Sequence, residues 1–210
     1  MSVQSTRGNM IKAERKAQLL ENARVVFSNK GYHKTSISDI INKSGVARGT
    51  FYLYFENKRQ VFESVLDELF RDIGDCIKTI QLGKGHASPI DQLRNNVRSV
   101  IALLLSNPET TDLLLKHAFG VDPEFDEKLN QFYNRLAERL ESSLQLGIAM
   151  GLLRKCDTQI VSFCIMGTIK EVVASCLSDV QYRGKDIDLI VDEVLNFGSR
   201  GLITSEYGNT

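Results

Sequence analysis

Between Thr35 and Lys58 the chain reads TSISDIINKSGVARGTFYLYFENK, and the side chains there that can act on another molecule are nearly all hydrogen-bond donors. Arg48, Thr50, Tyr52, Tyr54 and Lys58 supply a guanidinium, a hydroxyl, two phenols and an ammonium, with Ser36 and Ser38 just ahead of them. Such groups donate to phosphate oxygens, and a guanidinium can also bond guanine bidentately through the major groove. No nucleotide-binding loop, nucleophile elbow or HExxH stands anywhere in the chain, so the sequence carries no enzyme signature. The chemistry on offer is recognition of a polyanion.

Two short helices must position these donors. Ser36 is placed as an N-cap, and Asp39, three residues on, completes an approximate capping box. Ile37, Ile40 and Ile41 then follow at i, i+3, i+4, which predicts one buried face with Ser38 turned outward. Gly45 ends this helix, because glycine adopts the left-handed conformation that a helix C-terminus commonly needs. After Val46 a second helix is predicted over 47–54, pinned to a core by Phe51 and Phe55 four positions apart. Gly49 costs that helix about 1 kcal/mol relative to alanine. What it permits is close approach of the backbone to another surface.

The stretch resembles the helix-turn-helix of the tetracycline-repressor-like (TetR) family. The matching elements are Gly31-Tyr32, Thr35-Ser36, Asp39-Ile40, Gly45-Val46, Gly49-Thr50-Phe51-Tyr52, Tyr54-Phe55 and Lys58, with Leu19, Leu20, Ala23 and Phe27 before them. Two departures are visible: Ala47 stands where the family often has a serine N-cap, and Leu53 where a polar residue is common. The resemblance implies a DNA-binding head, with Arg48 as the base-reading candidate and Thr50 and Ser38 beside it. Ser36, Tyr52, Tyr54 and Lys58 would position the duplex through phosphates, and Gly49 would allow close approach.

A first helix over about 10–30, carrying Ala13, Ala17, Leu20, Ala23 and Phe27 and ended by Gly31, completes a three-helix bundle. Its expected core is Leu20, Ala23, Phe27, Ile40, Ile41, Val46, Phe51 and Phe55. Residues 1–9 are small, polar and aperiodic, which predicts a mobile arm from which Arg7 could touch a DNA backbone. Asn57 caps a long fourth helix over 58–82 with no linker before it, so a shift in the body must move the head. The domains expected are therefore 1–57, the DNA-binding head, and 58–210, a helical effector-binding and dimerisation domain.

Charge supports that division. The formal net charge is zero, but residues 1–58 carry 10 Lys/Arg against 4 Asp/Glu, and residues 59–210 carry 16 against 22. A basic head attracts a polyanion and an acidic body is repelled by it, which orients the molecule; ordinary surface scatter is the alternative. The four cysteines, Cys76, Cys156, Cys164 and Cys176, show no CxxC spacing, which predicts buried thiols and neither a zinc site nor a redox motif. No apolar run approaches 18 residues and no signal-peptide arrangement is present, so a cytoplasmic protein without a membrane partner is expected.

Beyond Gly83, Gly85 and Ser88-Pro89, helices are predicted over 89–106, 108–119, 123–150, 158–180 and 186–204, with a frayed SEYGNT tail. The fold expected is all-α, about nine helices in total. The last two are continuously apolar, and the eighth is so on more than one face, while Gly167, Gly198 and Gly201 permit close helix approach. A helix that buries two faces is either central in its own subunit or covered by a partner; the resemblance implies half of a four-helix homodimer interface through helices 8 and 9. It also implies a small-molecule effector pocket, for which Phe119, Phe125, Phe132, Phe163 and Met166 could supply apolar walls and His117 or Thr168 a polar handle. Ordinary core serves each of them equally well. His33, His86 and His117 are scattered and make no metal site; no cofactor is expected.

The function implied is a homodimeric transcriptional regulator, a repressor released from a palindromic double-stranded DNA operator by a small-molecule effector. Two rivals are a helical protein-binding adaptor without DNA affinity, against which the basic head argues, and a helical enzyme, which needs a polar constellation in the body.

Overall fold

The computed structural model describes residues 3–179 and 184–202, with side chains described from 12 to 179 and from 184 to 199. Among them the chain is all-helical, as expected: α1 (Val3–Lys34), α2 (Ile37–Ser44), α3 (Arg48–Tyr52), α4 (Lys58–Cys76), α5 (Pro89–Ser106), α6 (Pro108–Asp112), α7 (Pro123–Ala149), α8 (Thr158–Ser178) and α9 (Ile187–Leu202). A π-turn, Leu113–His117, lies between α6 and α7. The expected ends of the last two helices at 180 and 204, the SEYGNT tail, the Arg7 side chain and the surroundings of Gly201 lie outside what is described.

Several predicted boundaries moved, the helix expected over 108–119 ending at Asp112, and two of the shifts have a clear physical reason. From Val3 the arm expected at 1–9 is part of α1: once buried Leu19, Leu20, Ala23 and Phe27 hold the helix, each residue added upstream gains a hydrogen bond without a new nucleus. In contrast α4 stops at Cys76, short of 82. Beyond it the Asn96 amide accepts from Lys78 N at 3.1 Å and donates to Lys78 O at 2.7 Å, and the Gln92 amide accepts from Gln81 N and donates to Gln81 O, both at 2.8 Å. Side chains of α5 thus take the backbone groups that another helical turn would have paired.

Contacts divide the chain into two compact units, one of residues up to Arg71 together with Glu109–Glu127, the other of Asp72–Pro108 and the chain from Lys128 onward. In the first unit α1, α2 and α3 close a bundle over Leu19, Ala23, Phe27, Ile40, Phe51 and Phe55, all at most 1% exposed. Ile41 and Val46, expected in that core, are only half-buried. An aromatic column extends it: the Phe62 ring meets Phe27 at 5.1 Å, Tyr32 at 4.9 Å and Phe125 at 5.1 Å, each edge to face. This is the preferred geometry for ring quadrupoles.

In the second unit α5 packs on α8 and α9. Arg94 bonds Asp188 at 3.0 Å and Asp192 at 2.9 Å, and Arg98 bonds Asp188 at 3.0 Å, fastening α5 to α9. These hydrogen bonds hold the Asp188 carboxyl below its ordinary range. Of the four free thiols only Cys176 is buried; Cys164 is exposed on α8, so the expectation of buried thiols fails there.

By length and composition α8 could cross a membrane, yet only 17% of its most apolar stretch is buried within this chain. Phe163 on α8 is 50% exposed and Phe197 on α9 is 75% exposed. A Cβ added at Gly167 or Gly198 would meet nothing within 4 Å, so neither glycine serves a close approach inside the protomer.

Candidate nucleic-acid interface

The capping box predicted for α2 is present. Ser36 Oγ accepts from Asp39 N at 3.1 Å, and the Asp39 carboxylate accepts from Ser36 N at 2.9 Å and Ser36 Oγ at 2.8 Å. Lys30 adds a bond of 2.7 Å to the other carboxylate oxygen. First the Lys30 bond and then those from Ser36 hold the Asp39 carboxyl far below the usual range. Ser36, proposed as a phosphate contact, gives its O–H to the cap in this state, whereas Ser38 is exposed and uncommitted to it.

Two glycines shape the entry and exit of α2. Gly31 has φ 72, ψ 167, a backbone conformation that favours glycine, and a Cβ there would crowd His117 Nδ1 at 3.2 Å. Thr35, buried, donates from Oγ1 to Gly31 O at 2.8 Å and secures the bend. Gly45, the C-cap, has φ 64 in the left-handed region, as expected.

The second helix of the motif is shorter than the predicted 47–54. Ala47 gives no side-chain cap, and α3 spans five residues before a looser turn closed by Phe55 N to Phe51 O at 3.1 Å. Phe51 and Phe55 are buried with ring centroids 5.9 Å apart, which fixes the face turned outward. Arg48, Gly49, Tyr52 and Leu53 are exposed there; Thr50 and Tyr54 are half-buried on the flank. The Arg48 guanidinium stands 5.8 Å from the Tyr52 ring centre and has no ion-pair partner among the described residues. Cation–π support restricts its swing while leaving its N–H groups outward.

Lys58, at the start of α4, is placed differently from a free surface lysine. Its ammonium donates to Tyr32 O at 2.8 Å and Thr35 O at 2.9 Å and lies 4.2 Å from the Tyr32 ring centre. Burial lowers its pKa. Two of three N–H groups are thus engaged within the bundle. Asn57 caps α4 as predicted, Oδ1 accepting from Gln60 N at 2.9 Å.

Sequence reasoning missed Arg59. Its guanidinium bonds Glu63 at 2.6 Å and Glu124 at 2.9 Å and approaches Asp122 at 3.5 Å, tying α4 to the start of α7 inside the first unit. His33 Nε2 meets Gly120 O at 2.8 Å beside it. Only the i, i+4 spacing of Arg59 and Glu63 was visible in the sequence.

The seven residues suggested for an effector pocket are divided between the two units, Thr168 on α8 donating its hydroxyl to Cys164 O at 2.9 Å. Phe125 is fully buried in the aromatic column, His117 lies against Gly31, and Phe119 is 52% exposed, all three in the first unit. Phe132, buried beside Tyr133, and Phe163 and Met166 on α8 belong to the second. A cavity of about 320 Å³ lies between α1 and α4 and is lined by none of these residues; Lys16, Leu20, Asp67 and Arg71 are among its walls.

Comparison with known proteins places this geometry. Residues 19–65 match the family described as bacterial regulatory proteins, tetR family, and residues 86–174 match the tetracyclin repressor-like C-terminal domain. The HTH-type transcriptional regulator YfiR of Bacillus subtilis (strain 168) is 31% identical over 144 residues, covering 67% of this chain and 68% of that protein. The fatty acid metabolism regulator protein of the same organism is 29% identical over 172 residues, 79% of this chain and 85% of that one. Among solved structures, FadR from Bacillus subtilis in complex with stearoyl-CoA matches with a TM-score of 0.72 and 25% identity, over 88% of this chain and 98% of that one. NalD of Pseudomonas aeruginosa, a repressor of a multidrug efflux pump, shares the fold with a TM-score of 0.73 at 21% identity, over 92% of this chain and 98% of that one. By the helix-turn-helix that α2 and α3 form, and by these matches at both ends of the chain, the protein belongs to the TetR family of bacterial regulatory proteins.

Proposed function

We propose that the protein is a cytoplasmic homodimeric repressor that binds a palindromic operator through residues 1–57 and is released by a small molecule bound within residues 58–210. The observation that carries this reading is the outward face of α3, where Arg48, Gly49 and Tyr52 stand exposed on a helix pinned from behind by Phe51 and Phe55. In it Arg48 bonds a base edge, Ser38 and Thr50 assist, and Ser36, Tyr52, Tyr54 and Lys58 meet phosphates. Two such faces must lie about 34–36 Å apart to enter successive major grooves, which requires a dimer. The uncovered apolar surface of α8 and α9 supports pairing through those helices.

For the effector, the relatives favour a long-chain acyl-CoA, since a structural neighbour covering 98% of its own length holds stearoyl-CoA. Effector and operator then compete through their difference in affinity for two dimer arrangements.

The test is a fluorescence-anisotropy titration of the full-length protein with DNA from upstream of its own gene, across a salt series. Specific binding whose affinity falls steeply with salt, reversed by stearoyl-CoA but not by coenzyme A alone, is the expected result. Absence of DNA affinity at low salt would leave the protein-binding adaptor as the better reading.

A further inference from the structure

Leu53 takes no part in the donor chemistry of the recognition surface, yet its side chain is 73% exposed within it. It directly follows Tyr52 and lies four residues after Gly49, so the two share a helical face. At Gly49 an added Cβ would meet nothing within 4 Å, so the surface beside the leucine is open to a partner. Arg48 and Tyr52, the guanidinium 5.8 Å from the ring centre, supply the polar part of that surface. Leu53 supplies its apolar part.

Building on the DNA-reading role above, we propose that Leu53 reads the C5 methyl group of a thymine in each operator half-site. Leu53 follows Tyr52 at the exposed end of α3, so it borders the duplex that Arg48 and Tyr52 bond in this reading. An aliphatic side chain pressed on a phosphate, or on a base edge that offers only acceptors and donors, strips those groups of water and returns no hydrogen bond, which is unfavourable. The thymine methyl is the apolar group that the major groove presents, and contact with it removes apolar surface of both partners from water. Leu53 therefore selects by apolar fit, next to a guanidinium that selects by hydrogen bonding. Its place at the end of α3, where the helix gives way to a turn, puts the methyl contact at the edge of the recognition site nearest α4.

The experiment begins with selection of binding sequences from a randomised DNA pool by the full-length wild-type protein. Each thymine of the selected site is then replaced singly by deoxyuridine, which deletes the methyl and nothing else. The expected result is one thymine per half-site whose replacement weakens binding about fourfold, the factor that burial of one methyl-sized group carries. Leu53→Ala should bind thymine and deoxyuridine equally at that position while keeping its response to every other substitution. Leu53 is exposed, so the variant folds, and its circular dichroism spectrum checks this. Tolerance of deoxyuridine at all positions, or a Leu53→Ala protein that still distinguishes the two bases, overturns the assignment. Failure of the pool to enrich any sequence overturns the parent reading instead, and this one with it.

Discussion

The Lys58 ammonium donates to the carbonyl oxygen of Tyr32 at 2.8 Å and stands 4.2 Å from the centre of that residue's own ring. With its second bond, to Thr35 O at 2.9 Å, it closes the end of α1 onto the start of α4 and so sets where α2 begins. Lys58→Met should cost about 1–3 kcal/mol in urea unfolding, because two half-buried carbonyls lose a charged partner. If the remaining N–H also meets a phosphate, the variant weakens every DNA sequence alike and its log K against log salt slope flattens by about one.

Arg48 is exposed, with its guanidinium 5.8 Å from the Tyr52 ring centre. Arg48→Ala should lower the preference for the operator over random DNA by about 1–3 kcal/mol while leaving non-specific binding nearly intact. Tyr52→Leu removes the ring under the guanidinium and should move discrimination in the same direction by less. Competition titrations with scrambled DNA separate these outcomes from a general loss of affinity.

Asp39 makes a pH prediction whose sign is set by its bonds. Because the Lys30 bond and the Ser36 cap depress its folded-state pKa, its stabilisation is complete above the unfolded value, about 3.9, and fades as pH falls below that toward the lower folded value. Asp39→Asn should therefore melt earlier than wild type at neutral pH, and the gap between the two should narrow as pH is taken below about 4. Melting temperatures measured across an acid series check this; a gap constant over the series would contradict it.

Phe163 on α8 and Phe197 on α9 present large apolar surfaces to the outside of the protomer. Phe163→Glu places a charge where a partner helix is proposed and should shift the protein to monomer in sedimentation velocity. Operator affinity should fall with it by at least tenfold, since each head then binds alone. Protomer secondary structure should be unchanged, because the substituted side chain is half exposed.

The sequence alone determined the features whose hydrogen bonds close within a few residues. The Ser36–Asp39 box, the left-handed Gly45, the break at Gly31 and the Asn57 cap were legible because each is an interaction between near neighbours. The i, i+4 pair Phe51 and Phe55 likewise told which face of α3 is buried, and thereby that Arg48 and Tyr52 are exposed, whereas Thr50 and Tyr54, expected outward with them, are half-buried.

Only the tertiary structure decided what depends on partners far along the chain. The carbonyls that hold Lys58 lie 26 and 23 residues before it, and the α5 amides that end α4 lie 18 and 11 residues from the groups they bond. His117 against Gly31 and Phe125 inside the head's aromatic column drew residues proposed for an effector pocket into the first unit. Periodicity reports that a residue has a buried face, but which surface buries it is set by chain packing, and no local pattern encodes that.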